Sequence, residues 1–325
     1  MRQRPARARR HSLVVLALTT SLGCAGLTGC GSDTDSDSGD GRTLTTVRGK
    51  VHDVPTKPKR VVVLDTAELD SALTLGVKPV GATKSDVGSG FLRYLPEDKV
   101  RGIADVGNIG APNLEKIAKL KPDLILSSDV RDQKRYDELS KIAPTVFTKT
   151  TGYPWKANFL VHAEALGRKA EARKVIADYR DHTREVTRSL GGAKKAGATE
   201  VGVLRFTEGA DSRIYGLRSY IATLLKDVGL GRPPIAAKAT DYDGLGMDIS
   251  PEQVDKADAD VLFWSTYGDP RKAGESKTVG SPLWKNMNAV KKDRAFRVED
   301  ELWIQGIGYT AAEQILDELE KRLTQ

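Results

Sequence analysis

The chain has 325 residues and a formal net charge of +7, and 29% of its residues are charged. Five arginines within the first ten residues carry much of this positive charge, and removing the N-terminal segment that holds them leaves about +2. The remaining chain is therefore not basic enough to indicate nucleic acid as a partner.

Residues 1–29 are predicted to be a lipoprotein signal peptide. The arginines precede an apolar run, Leu13 to Leu18, that is too short to span a bilayer. The run leads to Leu27-Thr28-Gly29-Cys30, so we expect cleavage before Cys30 and a lipid on its thiol, which would anchor the exported protein on the extracellular face of the cell membrane. The pair Arg9-Arg10 leaves the export route open between Sec and twin-arginine.

Residues 30–42 are predicted to be a disordered tether, because Gly31 to Gly41 offer no apolar side chain to bury. Cys24 would leave with the signal and Cys30 would be acylated, so no disulfide is expected. The folded part must then be held by its hydrophobic cores.

The rest of the chain alternates short β-branched runs with amphipathic stretches, which predicts an α/β fold with parallel strands. An N-terminal lobe is expected at 43–155, a helical linker at 156–192 and a C-terminal lobe at 193–325. Strands are predicted at 60–64, 79–82, 123–126, 200–206, 260–264 and 295–298, and helices at 68–75, 113–120, 169–190, 220–228, 251–256 and 310–323. The helix at 169–190 would span roughly 30 Å and could join two lobes as a stiff strut.

Several blocks of sequence resemble the helix-linked, class III periplasmic binding proteins of ABC importers for ferric siderophores, haem and cobalamin. The blocks cover most of the chain after the tether: residues 58–64, 73–81, 106–126, 213–216, 224–230, 249–253 and 282–291. The resemblance implies two Rossmann-like lobes joined by the long helix, with the ligand held in the cleft between them and little hinge motion.

Residues 205–220 look most like the binders of hydroxamate siderophores such as ferrioxamines. The resemblance therefore implies a monomer that captures a ferric siderophore, with iron held by the siderophore and not by the protein, no further cofactor, and an ABC importer permease as partner. Receptors for haem, cobalamin or a catecholate siderophore remain alternatives. A surface enzyme is a weaker one, because the sequence lacks the common catalytic motifs.

Candidate ligand-binding residues are the arginines and aromatic residues near strand ends, where open α/β sheets bind ligands. Aromatic rings can cover the methylene chains of a trihydroxamate, and arginine can donate to its oxygens. The candidates are Arg131, Tyr153, Trp155, Arg205, Arg213, Tyr215, Arg218, Tyr220, Trp264, Tyr267 and Trp303.

These candidates have simpler structural interpretations. Trp264 could cap the core, Tyr215 could pack against the sheet, and any single arginine could be a solvated surface residue. Arg205 lies inside a strand pattern. Some hydroxamate-binding relatives carry an arginine where this chain has Asn108-Ile109-Gly110, so an anchoring arginine is expected elsewhere, in the second lobe.

Glu115 and Glu252 lie near the starts of short helices at matching places in the two halves. Both would complement a helix dipole there. By resemblance they also match the paired glutamates that dock such proteins onto arginines of the permease, and the two roles are compatible.

Overall fold

The computed structural model describes residues 41–85 and 90–324. The predicted signal peptide, Cys30 and most of the predicted tether lie outside the described residues. The first strand begins at Gly41, two residues before the predicted start of the N-terminal lobe. No helix within the described residues is long and apolar enough to cross a membrane.

The N-terminal lobe is built around a mostly parallel sheet. Its strands are β1 (Gly41–Thr46), β2 (Gly49–Pro55), β3 (Val61–Val63), β4 (Gly81–Lys84), β5 (Ala104–Asn108), β6 (Ala111–Pro112), β7 (Leu124–Ser128) and β8 (Thr145–Thr148). Its helices are α1 (Thr66–Thr74), α2 (Glu97–Val100), α3 (Leu114–Lys119), α4 (Asp129–Asp132), α5 (Tyr136–Ser140) and α6 (Trp155–Ala165). The sheet order is β6-β5-β4-β3-β7-β8, antiparallel only between β5 and β6, and β1 and β2 form a separate hairpin.

A single long helix, α7 (Lys169–Ser189), leads to the C-terminal lobe. The strands there are β9 (Val201–Thr207), β10 (Ala210–Tyr215), β11 (Gly246–Ile249), β12 (Val261–Tyr267) and β13 (Ala295–Arg297), in the order β11-β10-β9-β12-β13. The helices are α8 (Ala193–Ala198), α9 (Tyr220–Val228), α10 (Pro234–Lys238), α11 (Asp241–Gly244), α12 (Glu275–Val279), α13 (Pro282–Lys285), α14 (Asn288–Lys291) and α15 (Tyr309–Leu323). Strands β9, β12 and β13 are parallel, and β10 runs antiparallel to both of its neighbours.

The predicted α/β fold and its long connecting helix are confirmed. Helix α7 begins at the predicted residue and ends one residue early, where Leu190 caps it and Gly191 adopts a φ of 90° that favours glycine. The predicted helix at 251–256 is a 3₁₀ segment, Pro251–Ala257. The β1–β2 hairpin and the antiparallel strands β10 and β11 were not predicted, whereas helix α6 lies almost wholly within the predicted helical linker.

One hydrophobic core runs through both lobes. It extends from Val63 and Leu126 in the first sheet, through Phe159 of α6, to Val203 and Phe263 in the second. Each sheet has a separate core on its outer face. Helix α7 packs between α6, α9 and α15, burying Ala172, Tyr179, Thr183 and Val186. Because the lobes share packed side chains, a large hinge motion would expose apolar surface to water.

Asp70 of α1 binds the start of α15 and so joins the lobes a second time. Its carboxylate accepts the backbone N–H groups of Thr310 and Ala311, both at 3.1 Å, and the Tyr94 hydroxyl at 2.9 Å. Burial raises the pKa of Asp70, against the influence of these donors. A Cβ on Gly308 would lie 2.1 Å from the carboxylate, so glycine is required for the close approach.

Replacing Asp70 by Asn should lower the free energy of unfolding by about 2–4 kcal/mol. The amide would replace one acceptor oxygen by an N–H₂ group, which would face N–H and O–H donors that now donate to the carboxylate. Urea unfolding measures the change. The matched control is Asp181→Asn, which removes a solvated ion pair with Arg184 on α7 and should cost less than about 0.5 kcal/mol. Equal stability of the Asp70→Asn variant and the wild type would show that the joint contributes little.

Candidate ligand-binding site

In the N-terminal lobe, a buried aspartate and an exposed arginine form an ion pair at the point where strand order reverses. Asp65 directly follows β3, Arg131 lies in α4 directly after β7, and their Oδ2 and Nε atoms are 2.6 Å apart. Asp65 also accepts the N–H of Thr66 at the start of α1. Burial alone would lower the pKa of Arg131, but Coulombic attraction to Asp65 and the hydrogen bond outweigh it and raise that pKa. Ligands of open α/β sheets bind at such a point.

The rim of this lobe carries a second charged group. Asp129, at the start of α4, contacts Arg48 at 2.6 Å and Lys149 at 3.1 Å. Arg48 comes from the turn of the β1–β2 hairpin, and its guanidinium lies over the ring of Tyr136 at 5.3 Å. Neither cation was predicted.

In the C-terminal lobe, Arg205 of β9 is held in one orientation. Its Nε and Nη2 donate to Asp300 at 2.7 and 2.6 Å, and the Tyr267 ring lies against its guanidinium with a centroid distance of 4.6 Å. Asp300 is buried and also accepts from Ser265 and Gln305. Burial would lower the pKa of Arg205, but the influence of Tyr215 and Asp300 raises it.

Arg213 lies directly across from Arg205, on β10. It donates to Asp248 at 2.7 and 3.1 Å, and the Tyr242 ring covers its guanidinium at 4.2 Å. The hydrogen bond from Arg213 lowers the pKa of Asp248. The same arrangement of arginine, carboxylate and tyrosine therefore occurs on two neighbouring strands.

Arg218 repeats the arrangement with a tyrosine that precedes α6. It donates to Asp243 at 3.0 Å, and the ring of Tyr153, from the end of the first lobe, lies 4.8 Å from its guanidinium. The Arg218 side chain is 53% exposed. We refer to Arg205 with Asp300 and Tyr267, Arg213 with Asp248 and Tyr242, and Arg218 with Asp243 and Tyr153 as the three arginine triplets.

Three predicted ligand-binding aromatics are instead part of the core. Trp303 is fully buried, and its indole N–H donates to Glu318. Trp155 and Tyr220 are 3% and 4% exposed, and their rings pack edge to face. The Trp155 N–H donates to Thr223 and the Tyr220 hydroxyl to the Gly308 carbonyl. In this arrangement the three side chains are almost fully buried and their polar atoms already have partners, so they support the hydrophobic core. Contact of these residues with ligand stays a prediction.

Trp264 lies on the face of the sheet opposite to Arg205, in the arrangement that its alternative interpretation as a core residue described. Ser265 pairs with Arg205 across β12 and β9, so the preceding Trp264 points to the opposite face of the sheet. There its ring packs on Trp284 at 5.0 Å, and its N–H donates to Glu275 at 3.2 Å. Tyr215 is also buried, but it remains beside Arg205.

The carboxylates that hold the arginines were missed by sequence reasoning. Asp65 directly follows an apolar strand, so the strand-end rule used for the arginines could have found it. Asp300, Asp248 and Asp243 give no comparable signal, because each meets its arginine only through folding, at separations of 95, 35 and 25 residues. Within the described residues, no group of three or more His, Cys, Asp or Glu side chains could hold a metal ion.

The two glutamates predicted to dock the permease are both exposed. Glu115 lies in the first turn of α3, which Asn113 caps by accepting the N–H of Lys116 at 2.9 Å. Glu252 follows Pro251 in the 3₁₀ segment, and hydrogen bonds from its own backbone N–H and from Ser250 lower its pKa. Both side chains are therefore accessible from solvent.

Two α/β lobes joined by one long helix, with polar side chains at their strand ends, define a substrate-binding protein of class III architecture. The chain belongs to the periplasmic binding protein family, whose model matches residues 61–302. This membership confirms the predicted family and the prediction of a binding protein in place of an enzyme.

Relatives and solved structures agree with this assignment. The probable siderophore-binding lipoprotein YfiY of Bacillus subtilis is 37% identical over 297 residues, 89% of this chain and 90% of that protein. The iron(3+)-hydroxamate-binding protein YxeB of the same organism is 29% identical, covering 87% and 86%. The crystal structure of Staphylococcus aureus SirA complexed with staphyloferrin B has a TM-score of 0.77 and 33% identity, covering 87% of this chain and 98% of that one.

Replacing Asp300 by Asn should lower the free energy of unfolding by about 3–5 kcal/mol, because it leaves the buried Arg205 guanidinium without its counter-ion. The exposed Asp243→Asn variant is the matched control and should cost less than about 1 kcal/mol. Urea unfolding of the two variants compares them directly. A similarly small loss of stability in the Asp300→Asn and Asp243→Asn variants would mean that Arg205 pairs with another acceptor when Asp300 is replaced.

Proposed function

We propose that this chain is a lipid-anchored binding protein that captures a ferric siderophore outside the cell and delivers it to an ABC importer. The observation that carries the proposal is the set of three arginine triplets on β9, on β10 and directly after β10 in the second lobe. Each presents a guanidinium and an aromatic ring together. The names of YfiY and YxeB, and the SirA complex, support siderophores as the ligand class.

The ligand we propose is a trihydroxamate such as a ferrioxamine. Such a complex exposes hydroxamate oxygens around the iron and methylene chains between them. Guanidinium N–H groups can donate to the oxygens, and the exposed rings of Tyr153 and Tyr242 can cover the chains. Because the arginines are already oriented, little side-chain entropy is lost on binding.

Anchoring and organisation complete the proposal. Residues 1–29 direct export, Cys30 carries the lipid, and residues 30–42 tether a monomeric binding unit made of lobes at 43–155 and 193–325 with the linker at 156–192 between them. The description of YfiY as a lipoprotein supports the anchor. The iron stays bound to the siderophore throughout.

The Arg218→Ala variant tests the site. The mature chain from Cys30 onward should bind ferrioxamine B in titration calorimetry, and the variant should bind it about 1.5–3 kcal/mol more weakly, because charge-assisted hydrogen bonds are lost. Arg184→Ala is the matched control, since Arg184 is also exposed and paired with an aspartate but lies on α7.

Two results would contradict this assignment. Unchanged affinity of the Arg218→Ala variant would show that Arg218 is a solvated surface residue that does not contact the ligand. Absence of ferrioxamine binding by the wild type, together with binding of haem, cobalamin or a ferric catecholate, would replace the proposed ligand class.

We further propose that Glu115 and Glu252 dock the two lobes onto arginines of the permease. The Glu115→Ala/Glu252→Ala double variant should keep its affinity for the ligand but slow iron uptake about tenfold or more, since each ion pair desolvated on docking can contribute about 1.5 kcal/mol. Uptake of radioactive iron by cells with equal surface amounts of protein measures the effect.

The control for docking is the Glu97→Ala/Glu185→Ala variant, which removes two exposed glutamates with local arginine partners and the same total charge. It should transport like the wild type. Normal transport by the Glu115/Glu252 variant would disprove the docking role, and loss of ligand binding would assign these carboxylates to the cleft or to the fold.

A further inference from the structure

The arginines of the candidate site are already neutralised by the chain itself. Arg205 and Arg213 lie directly opposite one another on β9 and β10, where two like charges would repel. Asp300 and Asp248 remove that repulsion, each by two hydrogen bonds to one guanidinium. The two arginines therefore offer N–H donors without a net positive charge.

The third triplet and the N-terminal lobe show the same pairing of positive with negative charge. Arg218 is paired with Asp243, and Arg131 with Asp65. On the rim, Arg48 and Lys149 share Asp129, which leaves one extra positive charge. Apart from this rim group, each arginine named above has one aspartate as its partner.

Acidic side chains are also accessible at the strand ends of the second lobe. The Asp243 side chain is 88% exposed, and Glu208, after β9, is 36% exposed beside Lys272. Asp269, after β12, is exposed beside Glu208, which accepts its backbone N–H at 2.8 Å. A negatively charged ligand group that approached Arg218 would also meet the Asp243 carboxylate, and each arginine of the triplets is already paired with an aspartate.

We infer that the cleft selects ferric complexes that are neutral or singly positive and discriminates against anionic ones. The inference rests on the proposed siderophore-binding function and specifies the net charge of the ferric complex that the site prefers. A hydroxamate oxygen in a complex without net negative charge can accept a hydrogen bond from a paired guanidinium without displacing its aspartate. An anionic ligand would have to compete with that aspartate, and each displaced carboxylate would be left without its partner.

Three derivatives of one complex test the inference, because they share the iron coordination and differ only at one remote end. Ferrioxamine B carries a free ammonium, its N-acetyl derivative is neutral, and its N-succinyl derivative is singly negative. In titration calorimetry at low salt, the succinyl derivative should bind at least about fivefold more weakly than the acetyl derivative, and ferrioxamine B at least as tightly as the acetyl one. The difference should shrink at high salt.

The Asp243→Asn variant gives an independent readout. It frees the charge of Arg218, so it should improve binding of the succinyl derivative relative to the acetyl derivative by about threefold. The control Asp181→Asn makes the same change in total charge on α7 and should leave that ratio unchanged.

The outcomes separate the two proposals. Binding of all three derivatives with equal affinity, or tightest binding of the succinyl one, overturns the charge inference but leaves siderophore binding intact. Binding of none, together with binding of ferric citrate or a ferric catecholate, overturns both the charge inference and the hydroxamate assignment. An equal change of the succinyl-to-acetyl affinity ratio in the Asp243→Asn and Asp181→Asn variants would mean that the selectivity depends on the total charge of the protein. This result would also overturn the inference.

Discussion

The buried carboxylate of Asp70 is the constraint on which the arrangement of the lobes depends. It belongs to the first lobe, yet it satisfies backbone N–H groups at the start of α15, the last helix of the second. Helix starts have unsatisfied donors, so a buried one needs such a partner. Separating the lobes at this point would leave both the carboxylate and the helix start unsatisfied, in addition to opening the core that the lobes share.

Because the two lobes are held in a fixed arrangement, the geometry of the site depends on how its side chains are oriented. The arginines gain their orientation from aspartates and tyrosines, and not from a ligand. Bidentate pairing to a carboxylate and packing of a ring on the guanidinium both restrict rotation, so Arg205 and Arg213 present their remaining donors in a set direction. A site of this kind binds by matching a preformed surface, which lowers the entropic cost of association.

Sequence reasoning was accurate where the signal is local and weak where it depends on the face of a strand. The periodicity of α7 and the apolar runs of β3 and β7 predicted those elements to within a few residues. Trp264 was assigned to the site because it ends an apolar run, but adjacent residues of a strand point to opposite faces. Its neighbour Ser265 lies on the side of Arg205, and Trp264 packs on the outer core.

The sequence by itself determined the α/β class, the long connecting helix, the family and the arginines near the strands, because each of these follows from local periodicity or from short motifs. The tertiary structure decided which of those residues share a surface. Trp155, Tyr220 and Trp303 lie in the core, because the helices that carry or adjoin them pack together in the core that both lobes share. The arginines acquired their aspartates across 25 to 95 residues of chain, a pairing that only the folded backbone can bring within hydrogen-bond distance.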